Sequence, residues 1–206
     1  MRKFLSTTGG KLALTAGVLG VGGAMAGLGT FATFTSTTSA SQSVTSGTVT
    51  IALGATGAAT NRLTVNATGV VPGDTIQRSF DLANTGNQNL ASVALTTTAA
   101  PSTLLDTDST NGLQMVIDKC STTWSETVAG SGFTYTCGGT LTTIVASRAV
   151  IGSAVNMPGL SSLTNGTTDH LRVTLTLPVS AGNTFQGLTS TVTYAFTGTQ
   201  RNSTSQ

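Results

Sequence analysis

Short runs of alternating apolar residues recur along most of the chain, and they restrict its fold more than any other feature. The clearest run places Leu171, Val173, Leu175 and Leu177 at every second position before Pro178. Because successive side chains of a strand point to opposite faces, this period of two is typical of half-buried strands. Equivalent runs occupy residues 49–53, 63–65, 76–82, 93–95, 113–117, 133–137, 141–145 and 192–196. The pattern predicts about nine short strands separated by turns, and no helix in the mature chain.

Composition agrees with an all-β fold. Threonine supplies about a fifth of the chain and charged residues only 8%, so hydroxyl groups fill many solvent-facing positions, which suits strands better than helices. We predict a single antiparallel β-sandwich over residues 47–199, with jelly-roll or Greek-key connections, and a barrel as the alternative. Trp124 is expected in the loop of a hairpin, and residues 148–168 in a long connection.

The first 32 residues have the order of a secretory signal peptide. Three basic residues lie in the first eleven positions, an apolar run follows over residues 12–28, and small residues stand at Thr30 and Ala32. This order predicts cleavage between Ala32 and Thr33 by a signal peptidase, and secretion of the mature chain to the extracellular matrix or cell surface. The alternative is a retained membrane anchor, since the run approaches the roughly 20 apolar residues that span a bilayer.

Charge argues against a nucleic-acid partner. Removal of the signal leaves six basic against seven acidic residues, a formal charge of −1. Binding to phosphates needs clustered Lys or Arg, and no such cluster remains.

The two cysteines, Cys120 and Cys137, are expected to form a disulfide. Both stand at predicted strand ends, and an exported protein matures in an oxidising compartment. The alternative is a pair of buried free thiols. The bridge would staple the hairpin that contains Trp124.

Residues 33–46 form a leader that cannot bury itself. Apart from Phe34 and Val44, this segment contains only small or polar residues. It is either a flexible tether or an extended strand that pairs with the sheet edge of another copy of the chain. The candidate assembly residues are Thr33, Phe34, Thr35, Thr37 and Val44. At the other end, residues 200–206 are expected to form a disordered tail.

No set of residues fits a catalytic or metal site, so neither catalytic residues nor a cofactor are predicted. The single histidine, His170, has no second histidine to complete a zinc site and is interpreted as a surface or edge residue. Glu126 is interpreted as a solvated charge in the hairpin loop. Residues 106–112 contain two aspartates but miss the spacing of a calcium loop, so an Asx-rich turn is favoured over a cation site.

Four motifs between residues 29 and 95 resemble the TasA and camelysin family of secreted bacterial matrix proteins. They are Gly-Thr-Phe-Ala-Thr-Phe at residues 29–34, Ser-Gly-Thr at 46–48, Pro-Gly-Asp at 72–74 and Phe-Asp-Leu-Ala-Asn-Thr-Gly at 80–86. The junction resembles a substrate of the SipW-type signal peptidase. Cys120 and Cys137 depart from the TasA pattern.

The resemblance implies a jelly-roll protein whose subunits assemble into biofilm fibres by lending their N-terminal segment to a neighbouring subunit. The resemblance also suggests a protease, because camelysins are classed as metallo-endopeptidases. We therefore predict a secreted structural subunit that partners with itself or related matrix proteins. A metallo-endopeptidase and a monomeric adhesion or carbohydrate-binding module are the alternatives. For the latter, Trp124, Tyr135 and Tyr194 are candidate platform residues.

Overall fold

The computed structural model describes residues 51–53, 58–59, 61–63, 65–67, 69–130 and 132–202. All of them belong to one compact unit, Ser46–Gln206. The predicted signal peptide, its cleavage site and the leader lie outside the described residues.

Eleven strands make up most of the described chain. In chain order they are β1 (Ile51–Leu53), β2 (Val65–Ala67), β3 (Thr75–Asn84), β4 (Leu90–Ala100), β5 (Gln114–Cys120), β6 (Trp124–Ala129), β7 (Gly132–Cys137), β8 (Leu141–Ala149), β9 (Gly152–Asn156), β10 (Thr168–Thr176) and β11 (Ser190–Gln200). One single-turn helix, α1 (Leu104–Thr107), follows β4, and short 3-10 turns occupy Ser161–Leu163 and Asn183–Phe185.

The strands form three antiparallel sheets. A five-stranded sheet has the order β1-β3-β10-β5-β8, a four-stranded sheet has the order β2-β11-β4-β9, and β6 pairs with β7 in a separate hairpin. Every strand pair within these sheets is antiparallel. The all-β class is therefore confirmed, and the jelly-roll connection stays a prediction.

The two larger sheets contribute to one hydrophobic core. The apolar positions of β10, Leu171, Val173 and Leu175, are fully buried, as their alternation predicted. Phe80 of β3 lies with its ring centroid 5.3 Å from that of Phe196 on β11, so side chains of the two sheets meet directly. Burial of this apolar surface supplies the main favourable term in folding.

Four elements differ from the sequence prediction. Trp124 begins strand β6 instead of lying in a loop, and the predicted connection at 148–168 contains β9. The chain also contains a short helix, α1, which begins because Thr103 and Asp106 form a reciprocal capping box that satisfies the first backbone N–H groups of the helix. β11 extends to Gln200, the first residue of the predicted tail.

Within the described part of the chain, no helix has the length and apolar character needed to cross a membrane.

Candidate functional site

The β6–β7 hairpin lies against the five-stranded sheet, and two arginines from outside the hairpin, Arg62 and Arg172, contact it. Leu171 and Val173 are buried in the core, so the alternation of β10 turns His170 and Arg172 toward the other face of the sheet. The disulfide between Cys120 and Cys137 joins the end of β5 to the end of β7, with the two Cα atoms 5.6 Å apart. The predicted disulfide is confirmed.

Glu126 is at the centre of the contacts between the hairpin and the rest of the chain. Its carboxylate accepts two hydrogen bonds from the Arg62 guanidinium, at 2.5 and 2.8 Å, and one from the Tyr135 hydroxyl at 2.8 Å. The Arg62 guanidinium holds the pKa of Glu126 below its ordinary value, although burial opposes the shift. The interpretation of Glu126 as a solvated loop charge is therefore wrong, because this residue lies in β6 and its side chain is only 17% exposed.

A second ion pair lies beneath the hairpin. The Arg172 guanidinium donates to Asp118 at 2.8 Å and to the Tyr135 carbonyl at 3.2 Å. Its central carbon also lies 4.5 Å from the centroid of the Trp124 ring, in cation–π contact. Asp118 accepts a further hydrogen bond from Thr143. Polar and aromatic contacts thus join the hairpin to the sheet.

Replacing Glu126 by Gln should lower the melting temperature at pH 7 by about 2 to 4 °C, as expected for a loss near 1 kcal/mol in a domain of this size. The folded pKa of Glu126 is depressed, so its stabilisation is present above the unfolded pKa of about 4.3 and is lost as the pH falls through the folded pKa. The difference between the variant and the parent chain should therefore shrink as the pH falls below about 4.

Thermal unfolding followed by circular dichroism between pH 7 and pH 2.5 measures this difference. Ser125→Ala is the matched control, since Ser125 is the exposed neighbour of Glu126 on the same strand, and it should stay within about 0.5 kcal/mol of the parent chain. If the difference in melting temperature between Glu126→Gln and the parent chain stays constant down to the lowest pH, the lowered pKa of Glu126 in the folded chain is contradicted.

The His170 side chain contacts a carboxylate. Its Nδ1 lies 2.7 Å from Oδ1 of Asp81 on the neighbouring strand β3. Its backbone carbonyl accepts a hydrogen bond from the Trp124 indole. The side chain is about one-quarter exposed, so the histidine is half-buried at the rim of the hairpin contact instead of lying on the open surface.

Asp169, the neighbour of His170, organises a turn. Its carboxylate accepts from the backbone N–H groups of Ser161 and Ser162, at 3.0 and 2.7 Å, and lies 3.3 Å from the Lys119 ammonium. Burial alone would raise the pKa of Asp169, but these hydrogen bonds more than offset it, and the pKa is lowered. The carboxylate stays charged because its acceptor positions are filled by the protein.

The two aspartates of residues 106–112 also serve local structure. Asp106 caps α1 and accepts from the hydroxyls of Ser102 and Ser190. Asp108 accepts from the backbone N–H groups of Thr110 and Asn111, both at 2.9 Å, which is an Asx turn. The predicted Asx-rich turn is confirmed.

All seven carboxylates of the chain, its only histidine and both cysteines thus have partners within the protein. The remaining carboxylate, Asp74, accepts from the backbone N–H of Val71 at 2.9 Å. Across the described residues no three His, Cys, Asp or Glu side chains are grouped so that they could hold one metal ion.

The aromatic side chains of the described residues do not form a platform. Trp124 packs on Arg172, and Tyr135 is buried. The Tyr194 hydroxyl is buried between the sheets, and burial raises the pKa of this group. All of the described aromatic residues are buried or half-buried. A flat carbohydrate-binding surface requires exposed aromatic rings.

The sequence predicted the disulfide but none of the four ion pairs, among them Arg62–Glu126 and Arg172–Asp118. Arg62 is 64 residues from Glu126, and Arg172 is 54 residues from Asp118. The structure brings His170 and Trp124 together at one end of the hairpin. The predicted cleavage residues Ala32 and Thr33 and the candidate assembly residues Phe34, Thr35, Thr37 and Val44 lie outside the described residues.

A comparison with protein families matches residues 10–205 to a family described as camelysin metallo-endopeptidase. A comparison with curated proteins finds no match.

Proposed function

The chain belongs to the camelysin metallo-endopeptidase family, and from this premise we propose that it is an exported structural subunit of the extracellular matrix or cell surface and has no protease activity. One observation carries the proposal. Every carboxylate and the only histidine already serve as caps, turn acceptors or ion-pair partners in the fold. Structural roles of this kind for the carboxylates and the histidine support a scaffold function more than a hydrolytic one.

The residues present do not fit the zinc ion that the family description implies. A catalytic zinc site keeps three protein ligands and one open position. This chain has a single histidine, whose Nδ1 is bound to Asp81, and its two cysteines form a disulfide. Glu126, the only glutamate, is bound by Arg62 and Tyr135, in a structural ion pair.

Purified secreted chain should therefore contain far less than one zinc per molecule after exposure to zinc and dialysis, and a chelator should leave its melting temperature unchanged. Elemental analysis and thermal unfolding measure the two quantities. His170→Ala is the matched variant, and its residual zinc content should equal that of the parent chain. Stoichiometric zinc, or cleavage of casein that a chelator stops, would establish the metallo-endopeptidase alternative instead.

The structural role we propose includes self-assembly through the leader, residues 33–46. An extended segment rich in Thr and Ser can satisfy its backbone N–H and C=O groups by adding to a sheet edge of a second copy. Purified secreted chain should then form concentration-dependent polymers that sedimentation and electron microscopy detect. A chain that stays monomeric at every concentration would favour the adhesion module and overturn the proposal.

A further inference from the structure

We propose that the outer face of the four-stranded sheet is a surface on which two copies of the chain stack face to face. The contact joins two sheet faces and uses neither the leader nor a sheet edge. It therefore goes beyond the proposed self-assembly, and either proposal holds or fails without the other.

The four strands of this sheet contain no charged residue. None of the residues of β2, β4, β9 and β11 is Asp, Glu, Lys or Arg. The strands of the five-stranded sheet, in contrast, contain Arg78, Asp81, Asp118, Lys119, Arg148, Asp169 and Arg172. Because a buried charge needs a partner, the cores of protein interfaces are depleted of charged residues. Of the two larger sheets, the four-stranded one therefore has the outer face that is easier to bury in a contact.

The outward positions of β4 and β11 hold only small side chains. Leu95 and Val192 point into the core, so the residues that alternate with them point to the other face of the sheet. Five pairs of outward residues lie side by side: Thr191 with Ala100, Thr193 with Thr98, Ala195 with Thr96, Thr197 with Ala94 and Thr199 with Ser92. Six of these ten residues are exposed and the other four are half-buried. The ten positions thus present methyl and hydroxyl groups to solvent, and none of their side chains is longer than that of threonine.

The chemistry of these groups favours a second copy of the same face as the partner. A charged partner finds no opposite charge on these strands. An apolar partner leaves the buried threonine hydroxyls without hydrogen bonds, at about 1 to 3 kcal/mol for each unsatisfied group. A threonine hydroxyl both donates and accepts a hydrogen bond, so the hydroxyls of two copies satisfy one another. An interface in which both subunits use the same surface has two-fold symmetry, the commonest symmetry among protein oligomers.

The distribution of alanine and threonine also favours contact of this face with its own copy. Ala195 lies between Thr193 and Thr197 along β11, and Ala94 is the partner of Thr197 on β4. An alanine side chain lacks the two outer atoms of threonine, so each alanine leaves a hollow that a threonine of the other copy fills. Because all of these side chains are short, the two sheets can approach to the spacing of about 10 Å that is usual for stacked sheets.

β9 widens the face beside β4. Asn156 of β9 is paired with Ala94, and Ser153, Ala154 and Asn156 are exposed. Three strands about 4.8 Å apart, with a paired stretch of about nine residues in β4 and β11, give a face of about 30 Å by 14 Å. A contact of this size is at the lower end of the range of specific interfaces. We therefore expect a weak dimer, with a Kd of about 100 µM.

Sedimentation velocity of the purified secreted chain tests the contact, because monomer, dimer and longer polymers sediment as separate species. Between about 10 and 500 µM the fraction of dimer should rise as expected for a Kd of about 100 µM. In the unpolymerised fraction, the NMR shifts that depend on concentration should be confined to residues 92–100, 153–156 and 191–199. A chain without dimer over this range, or with shifts centred on another surface, overturns the proposal.

Thr197→Lys places a charge at an exposed position near the middle of the face, so that two like charges approach each other in the dimer. The Kd should rise at least about tenfold, because like charges at an interface repel. Circular dichroism should stay unchanged, since the position is exposed. Thr142→Lys, at the exposed start of β8 in the other sheet, is the matched control and should stay within about twofold of the parent. Equal effects of the two lysine variants contradict the stacked face.

The outcomes separate this contact from the assembly through the leader. Dimers that Thr197→Lys removes, in a chain that never forms polymers, support the stacked face and contradict the leader assembly. Polymers that form without any dimer, and that Thr197→Lys leaves unchanged, overturn the stacked face alone. A chain that stays free of dimer while dextran, an uncharged polysaccharide, shifts the resonances of residues 92–100 and 191–199 identifies a different occupant and also overturns the proposal.

Discussion

A chain in which Cys120 and Cys137 are both replaced by serine should have a free energy of unfolding about 3 kcal/mol lower than the parent. The bridge closes a segment with a sequence separation of 17 residues, and removing it restores the conformational entropy of that segment in the unfolded chain. The effect should be local as well. Arg62, Arg172 and Glu126 hold the hairpin through polar contacts, which water and salt weaken more readily than apolar packing.

Urea unfolding followed by circular dichroism measures the free energy, and amide hydrogen exchange measures the local effect. We expect exchange to accelerate in β6 and β7 while β10 and β4 remain protected. Thr136→Ser is the matched control, since Thr136 is exposed beside Cys137, and it should stay within about 0.5 kcal/mol of the parent. Unchanged stability of the double variant, or equal acceleration throughout both larger sheets, would contradict this role for the disulfide.

The strands that sequence reasoning predicted best are those with one face in the core. In β10, Leu171, Val173 and Leu175 alternate with polar residues because one face meets the core and the other meets the hairpin. A period of two records this difference directly. β9 shows no such alternation of apolar and polar residues. It is a five-residue edge strand that contains Gly152 and a residue of positive φ.

β6 shows a different limit. Its inward side chains are Trp124 and Glu126, and Glu126 faces a polar layer, so hydrophobicity does not mark the buried face. The spacing of two between these large residues was the available signal. Even with β6 assigned, the partner of Glu126 could not be read from the sequence, because periodicity identifies a face and not the strand that packs on it. Arg62 and Arg172 lie beside the hairpin because of how the strands are arranged in the folded sheet, which the local sequence pattern does not show.

For His170, the sequence predicts part of its role and the structure supplies the rest. One histidine without a second argues, from composition alone, against zinc sites that need two histidine ligands. Its contact with Asp81 depends on the register of β10 against β3, which places the two residues directly opposite each other. Register follows from pairing partners that are far apart in the sequence, and local pattern does not contain them.

Deletion of residues 33–43 from the secreted chain should abolish polymerisation while leaving the circular dichroism spectrum unchanged. The buried core side chains among the described residues start at Leu63, so we expect the fold to persist without the leader. The proposed assembly should require the leader, because in this proposal the leader supplies the added strand. Size-exclusion chromatography and electron microscopy at matched concentration measure the result, after an intact mass has established that Thr33 is the N-terminus.

Phe34→Ala is the sharper variant, because it keeps the leader and removes one anchor. Many similar Thr and Ser residues fix the register of an added strand poorly, so we expect Phe34 to supply much of the specificity in the proposed assembly. Its burial is worth about 1.5 to 3 kcal/mol, which corresponds to a critical concentration raised about ten- to hundredfold. Thr37→Ala is the matched control within the leader and should change it by less than about threefold. If the truncated chain forms the same polymers as the parent, or if Phe34→Ala and Thr37→Ala behave alike, the leader is a tether and another surface carries the assembly.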